Sequence, residues 1–294
     1  STRTLYVEGQ NAFPHALKVH FPFRISRYDR KMRDEVVAQA VAVSGELEKG
    51  ISSFEPGFSM MREVLGISHQ NLDPGSLRGE NGGFLVRDLS PFPHSKIQTR
   101  LIPGFALYGK DYFDPKSRAV LLDLVGDSPP VSFVLDHIML PIVRQWCTCF
   151  SCFGFMLEPH GQNLILETDT RGNIIRTVHR DLSLGIDMRR RRDLNLSSRH
   201  LNGYNRMEDG AFASISYDRF MGSHFFDQII ACLQQAYPGL DKMKFSGPCR
   251  EEFEKALPDH ARYLPARVHY FSDTRDRYGK PFYRDTGQNP QYRP

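Results

Sequence analysis

The sequence predicts an α+β fold in two lobes, a strand-rich lobe packed against a mainly helical lobe with an inserted β-hairpin. Three observations predict it. The first part opens on period-2 alternation. From about residue 128 the apolar residues follow helical spacing. That helical part is interrupted by two apolar arms around a polar turn. The lobes are placed at 1–127 and 128–294.

Residues 1–8 read as a short strand. From His15 to Ser26 the alternation is strict, with Leu17, Val19, Phe21, Phe23 and Ile25 on one side. Lys18, His20, Arg24 and Ser26 lie on the other, so this is a half-buried strand with cationic groups on its polar face. Between Arg33 and Lys49 the residues Val36, Val37, Ala40, Val41 and Leu47 take helical spacing, and Gly50 ends the helix. Residues 51–83 mix short segments with turns at Asp73-Pro74-Gly75 and Asn81-Gly82-Gly83. Phe84–Arg87 and Leu101–Tyr108 read as strands. A helix starts at Asp127-Ser128-Pro129-Pro130, with Asp or Ser as cap and proline in the first turn, and runs to Trp146 with a broad apolar surface. Residues 193–213 read as a polar loop. Tyr217–Tyr237 and about Arg250–Leu257 read as helices, and the tail from Ser272 as irregular.

Polar chemistry concentrates in Glu158-Pro159-His160-Gly161-Gln162-Asn163 and in Arg180-Asp181. Between them, Leu164-Ile165-Leu166 and Ile174–Val178 form two arms, and Asp169–Asn173 is turn chemistry with Gly172 at the φ > 0 position. A turn centred near Gly172 brings Asn163 opposite Asp181, about 5 Å apart at Cβ. An amide oxygen and a carboxylate at that separation suit a hard cation such as Mg²⁺. Lys18, Arg30, Arg3 and Arg180 supply positive charge to balance phosphates. The set suits a nucleoside triphosphate with Mg²⁺. His160 suits a carboxylate contact or a proton carrier.

Composition narrows the classes. The 294 residues are 40% hydrophobic and 24% charged with net charge +4, which fits an anionic small substrate. No basic stripe with interleaved aromatics points to nucleic acid. No apolar run approaches the ~20 residues of a membrane span, and no signal peptide is visible. Five cysteines, three of them at Cys147, Cys149 and Cys152, make no disulfide framework and indicate a reducing cytoplasm. They read as buried helix residues rather than a metal site. Arg189–Arg192 could grip phosphates but reads as a solvated loop. Neither G-x-x-x-x-G-K-[ST] nor G-x-G-x-x-G occurs, so this is not a P-loop enzyme.

The run Glu-x-His-x-Gln-Asn, a hairpin and Arg-Asp resembles the signature of the IucA/IucC-type siderophore synthetases, which work independently of non-ribosomal peptide synthesis. Ser1-Thr2-Arg3-Thr4 resembles that family's phosphate-binding Ser-x-Arg-Thr, and Ala16–Val19 its lysine strand. Ile25–Arg30 resembles its I-T-S-x-x-R turn, with Ser26 and Arg27 as departures. Gly83–Arg87 and Phe153–Phe155 also match. The likeness extends over roughly residues 1–235.

The resemblance implies thumb, fingers and palm, with ATP and an acid between fingers and palm. Citrate or a related polycarboxylate would be adenylated and then joined to a polyamine, amino acid or amino alcohol as amide or ester. By position, Ser1, Arg3, Thr4, Lys18, Glu158, Asn163, Arg180 and Asp181 would hold ATP, with Glu158, Asn163 and Asp181 also at the metal. Ser26, Arg30, His160 and Gln162 would hold the acid. His160, Arg30 and Lys18 are the catalytic candidates. A homodimer is usual in that family, whose members are longer than this chain. The sequence is thus read as fingers and palm without the thumb half, either a fragment or a short natural form. Two other readings compete. A truncated citrate- or nucleotide-binding module would bind without turnover. A kinase-like phosphotransferase would need an Asp base just before Asn163, where His160-Gly161-Gln162 stands instead.

Overall fold

The computed structural model describes residues 3–7, 13–25, 28–30, 32, 34–68, 82–111, 113–114, 116–201, 206–207 and 215–259, with the backbone alone at 22–25, 28–30, 207 and 215. Strand β1 (Thr4–Val7), β2 (His15–Val19), β6 (Glu63–Ile67) and β7 (Phe84–Asp88) form one antiparallel sheet in the order β1-β2-β7-β6. Helix α1 (Asp34–Lys49) covers one face of it, where Met32, Val37, Ala40 and Leu85 form a small core. Gly66 permits this contact, because a Cβ there would come within 2.4 Å of Val37.

The long alternating strand is broken in two. It ends at Val19, and β3 (Phe21–Ile25) folds back on β4 (Tyr28–Arg30) as a separate hairpin. Pro22 lacks an N–H and cannot continue a central ladder. His20 leaves the ladder too: its N–H donates to the Gly83 carbonyl, and its Nδ1 accepts from Met32 N–H. The faces are also the reverse of the alternation reading. Lys18 is 6% exposed on the face under α1, whereas Leu17 and Val19 are only half-buried.

The second sheet, β5-β11-β10-β8, is made of β5 (Phe58–Met60), β11 (Ile174–His179), β10 (Leu164–Thr168) and β8 (Arg100–Pro103). It draws strands from both sides of residue 127. The expected strand from Leu101 stops at Pro103 and becomes a 3-10 turn, Gly104–Leu107. The main core packs on this sheet. It contains the helix of Pro130–Val134 (α3), a π-helical turn Leu135–Met139 and Leu140–Phe153 (α4). Pro141 explains the π-turn, since its missing N–H and its ring disrupt the i→i−4 ladder. The cap is Pro129, with no side-chain bond from Asp127 or Ser128. A short helix at Val120–Val125 (α2) has no counterpart among the predicted elements.

After β9 (Phe155–Met156) and the hairpin come β12 (Gly185–Asp187) and α5 (Met188–Asp193). The latter corrects the solvated arginine loop. Arg191 is 1% exposed, its guanidinium bonding Glu46, the Phe153 and Ser197 carbonyls and Ser198 while lying over Phe155. Asp187 caps this helix by accepting from Arg190 N–H. Within the predicted polar loop lies a short strand β13 (Arg206–Met207). The helix expected from Tyr217 is a π-helix, Ile215–Phe226, continued by α6 (Asp227–Ala236). The last helix, α7 (Met243–Ala256), starts earlier than predicted. Cys147 and Cys149 are buried and their thiols are pushed up by burial, but Cys152 is exposed. The turns at 73–75 and 81 and the tail from 272 lie outside the described residues. No helix among those residues is long and apolar enough to cross a membrane.

Candidate active site

The segment Glu158–Asn163 is a tight polar loop leading into β10. His160 N–H donates to the Glu158 carbonyl (2.9 Å), and the His160 carbonyl accepts from Asn163 and Leu164. The core holds the loop at two points. At its start, Trp146 Nε1 and the Ser216 hydroxyl both donate to the Leu157 carbonyl. In its middle, Phe105 N–H donates to the Gly161 carbonyl (2.9 Å). Glycine is required at 161, where a Cβ would meet Tyr108 Oη at 2.2 Å and Phe105 N at 3.1 Å.

The hairpin closes as the sequence suggests, with Gly172 at φ 92°, but its register differs by one. Opposite Glu167 and Thr168 the return strand carries a bulge, with Ile175 left out of the pairing, and beyond it Leu164 pairs with His179. Asn163 therefore stands opposite Arg180, whose N–H donates to the Asn163 carbonyl (3.0 Å). Asp181 lies one residue beyond and takes a left-handed conformation, φ 70°, which few non-glycine residues adopt. That turn aims its carboxylate at the first sheet. There it pairs with Lys18, and Arg87 Nη2 stands 3.5 Å away.

The first sheet supplies cations by its pairing. Thr4 is directly opposite Lys18, and Ala16 opposite Arg87, so Thr4, Lys18 and Arg87 share one face. Arg3 bonds Met32 Sδ (3.3 Å) and acts electrostatically on Asp181. Arg180 Nε donates to the Gln162 carbonyl (2.8 Å), and its guanidinium also bonds Tyr6. Arg3, Thr4, Lys18, Glu158, His160, Gln162, Asn163, Arg180 and Asp181 are thus gathered between the sheet and the hairpin. Ser1 and Ser26 lie outside the described residues. Arg30 is placed only by its backbone, at the end of β4.

The electrostatics separate the acids. Burial raises Asp181, but Lys18, Arg87 and Arg3 outweigh it and hold the carboxyl well below the usual carboxylate range. Burial pushes Glu158 up to about 7, the nearby Asp181 adds to this, and Lys18 opposes it. Burial lowers His160 to about 4, helped by His224 and Arg180 and opposed by Asp181. A neutral imidazole results. Its Nδ1 accepts from Gln162 N–H (3.2 Å), which leaves the ring proton on Nε2. Phe220 packs edge-on against this ring at 5.7 Å.

Among the described residues, no three His, Cys, Asp or Glu side chains form a metal cage. The donors Glu158, Asn163 and Asp181 are hard oxygens, and Mg²⁺ is commonly held by one or two carboxylates plus substrate phosphates. That set fits Mg²⁺ carried with a nucleotide better than a metal held by protein alone.

Several site residues escape the motifs. Arg87 is 4% exposed, and its Nε donates to Glu63 Oε1 at 3.0 Å. A charge sharing the inward face of a strand with Leu85 was the available signal. Glu63, Tyr6, Phe220 and His224 had none beyond ordinary strand or helix spacing.

No protein-family model matches this chain, and no curated protein sequence matches it. Solved structures do share its fold, siderophore-biosynthesis proteins among them. The petrobactin biosynthesis protein AsbB of Bacillus anthracis str. Sterne superposes with TM-score 0.69 at 18% identity, over 90% of this chain and 45% of its own. The aerobactin synthetase IucC of a hypervirulent Klebsiella pneumoniae gives 0.67 at 12% identity, over 89% of this chain and 46% of its own. The ATP-bound aerobactin synthetase IucA of the same pathotype gives 0.61 at 16%, over 87% and 46%. The α+β fold is therefore that of these biosynthesis proteins, and the chain spans less than half their length.

Proposed function

We propose that this chain is the fingers-and-palm part of a siderophore synthetase that activates a carboxylic acid with ATP. One observation carries the reading: Lys18, Arg3 and Arg180 converge on Asp181, Asn163 and Glu158 from two separate sheets. This is a cationic wall facing hard oxygen donors, as a triphosphate with its metal requires. The shared fold, including that of an ATP-bound synthetase, supports it.

Arg3, Thr4 and Lys18 bind phosphate oxygens, while Glu158, Asn163 and Asp181 face the metal. Mg²⁺, when bound, supplies charge neutralisation across the phosphates. An oxygen of a citrate-like acid attacks the α-phosphorus, and the bond to pyrophosphate breaks. The repulsion between these anions is what the cations must screen. Neutral His160 donates from Nε2 to the acid, with Gln162 beside it, and Ser26 and Arg30 grip its other carboxylates, a guanidinium doing so in bidentate fashion. A polyamine, amino acid or amino alcohol then attacks the acyl carbon and AMP departs.

The test is pyrophosphate release from ATP and Mg²⁺ with citrate, 2-oxoglutarate or succinate, each with hydroxylamine. Acid-dependent release is expected for citrate or 2-oxoglutarate. Nucleotide binding with no release for any acid would replace this reading with a binding module. In the active protein, Arg30→Ala should raise the KM for the acid about tenfold or more, with little change for ATP. Equal losses for both would remove Arg30 from the acid site.

A further inference from the structure

Among the cations around the Asp181 carboxylate, Lys18 and Arg87 are of different kinds. Lys18 sits on β2 at the end of a flexible stem and pairs directly with Asp181. Arg87 sits one strand further in, on β7, and is fixed. Its cross-strand partner Glu63 is 1% exposed, takes both Nε (3.0 Å) and Nη2 (2.5 Å) on one oxygen, and lies directly opposite it in the register. The same Nη2 reaches Asp181 Oδ1 at 3.5 Å. The second oxygen of Glu63 is buried with no partner among the described residues, so the charge of Glu63 is balanced chiefly by Arg87. Asp181 meanwhile holds an unfavourable left-handed backbone, which persists only where surrounding contacts fix it.

We propose that Arg87, anchored by Glu63, is the positioning residue for Asp181, and that Lys18 changes partner between Asp181 in the empty site and a phosphate in the occupied one. This rests on the nucleotide reading above. In the empty site Lys18 competes with any metal for Asp181. A nucleotide draws Lys18 away, and Arg87 keeps the carboxylate aimed. Metal and nucleotide thereby favour each other's binding, a coupling that must be reciprocal.

Calorimetric titration of the full chain with a non-hydrolysable ATP analogue, with and without Mg²⁺, tests this. Arg87→Gln strands the buried Glu63 charge, so Arg87→Gln/Glu63→Gln is the variant to use, with Glu63 neutralised as well. It should bind the metal-free analogue nearly as wild type does and lose about tenfold or more of the affinity gained from Mg²⁺. Lys18→Met should do the reverse, weakening the metal-free analogue while binding Mg²⁺ alone more tightly than wild type. Equal loss with and without Mg²⁺ in the double variant would make Arg87 a phosphate ligand and overturn the proposal. An unchanged Mg²⁺ gain would also overturn it. If wild type binds no analogue under either condition, the nucleotide reading fails. Crystal structures of the ligand-free variants then decide the positioning claim. Asp181 should leave positive φ in the double variant and keep it in Lys18→Met; the opposite pattern would refute it.

Discussion

Gly161 and Arg191 show how single residues set this site's shape. At Gly161 the nearest obstacle to a side chain is the Tyr108 hydroxyl, itself half-buried and pushed up in pKa by burial. Gly161→Ala should therefore destabilise the protein by about 1–3 kcal/mol through overpacking. Tyr108→Phe removes the blocking oxygen and should recover part of that loss, read as a coupling energy in a denaturation double-mutant cycle. Additive effects would place the strain in the Phe105 backbone instead. Arg191 is buried against Glu46 and three other oxygen acceptors. Arg191→Ala should cost about 3–5 kcal/mol by stranding them, measurable as a lowered urea midpoint. A change under about 1 kcal/mol would return it to the solvated role that its sequence context suggested. Legibility at this scale was uneven. Lys18, Asn163 and Asp181 could be read because their types and spacing carry chemistry. Arg87 and Arg191 could not, because an arginine looks the same in sequence whether its partner lies in the solvent or on a distant strand.

The β10–β11 hairpin joins the site to the core through a buried polar junction. Thr177 Oγ1 and His179 Nε2 both meet Gln145 Oε1 on α4, at 2.5 and 2.9 Å, while Gln145 Nε2 donates to the Gly57 carbonyl. Burial lowers His179 to about 3, so the ring stays neutral in the fold. In the unfolded chain it titrates near ~6.5. Between those values the unfolded state binds the extra proton, so stability falls as pH falls, and above the unfolded value the effect vanishes. His160, lowered to about 4, acts in the same direction; Glu158, raised to about 7, acts in the opposite one. Comparing wild type with His179→Asn isolates the first of these. Wild type should lose about 1.4 kcal/mol per pH unit more than the variant between pH 6 and pH 4. Parallel urea-stability curves would show that His179 is protonated in the fold. The hairpin arms and turn were legible because two apolar arms flank turn residues. The bulge was not, since nothing in Ile174-Ile175-Arg176 distinguishes a bulged strand from a regular one.

At the scale of the molecule, the second sheet binds β5 and β8 to the hairpin across the expected boundary at residue 127. The proposed lobes therefore share a sheet and one main core. Heating should give a single transition, with near- and far-ultraviolet circular dichroism coincident. Two separated transitions would mean that 1–127 and 128–294 fold independently. The α+β class was legible from the change of period along the chain. The inward face of the first sheet was not. Leu17 and Val19 looked like core residues, but α1 settles on the opposite face, where Leu85 and Ala16 lie and Gly66 leaves room for a helix. Alternation tells which residues share a face and not which face meets a neighbour.

The bulge at Ile175 makes the hairpin a counting device. Arg180 and Asp181 are neighbours of opposite sign, so one place of slip decides which of them stands opposite Asn163. The turn that sets the count, Asp169–Asn173, lies some five strand residues away, about 17 Å at the usual rise. The Asp169 carboxylate closes it by accepting from the Arg171 and Asn173 N–H groups and from Asn173 Nδ2, whereas Thr170 and Arg171 are exposed and their identities can vary. The turn's length cannot vary in the same way. A library of this turn scored for nucleotide binding should keep many substitutions and reject single-residue insertions and deletions, because each moves Arg180 from its place opposite Asn163: a deletion brings in the anion Asp181, an insertion the neutral His179.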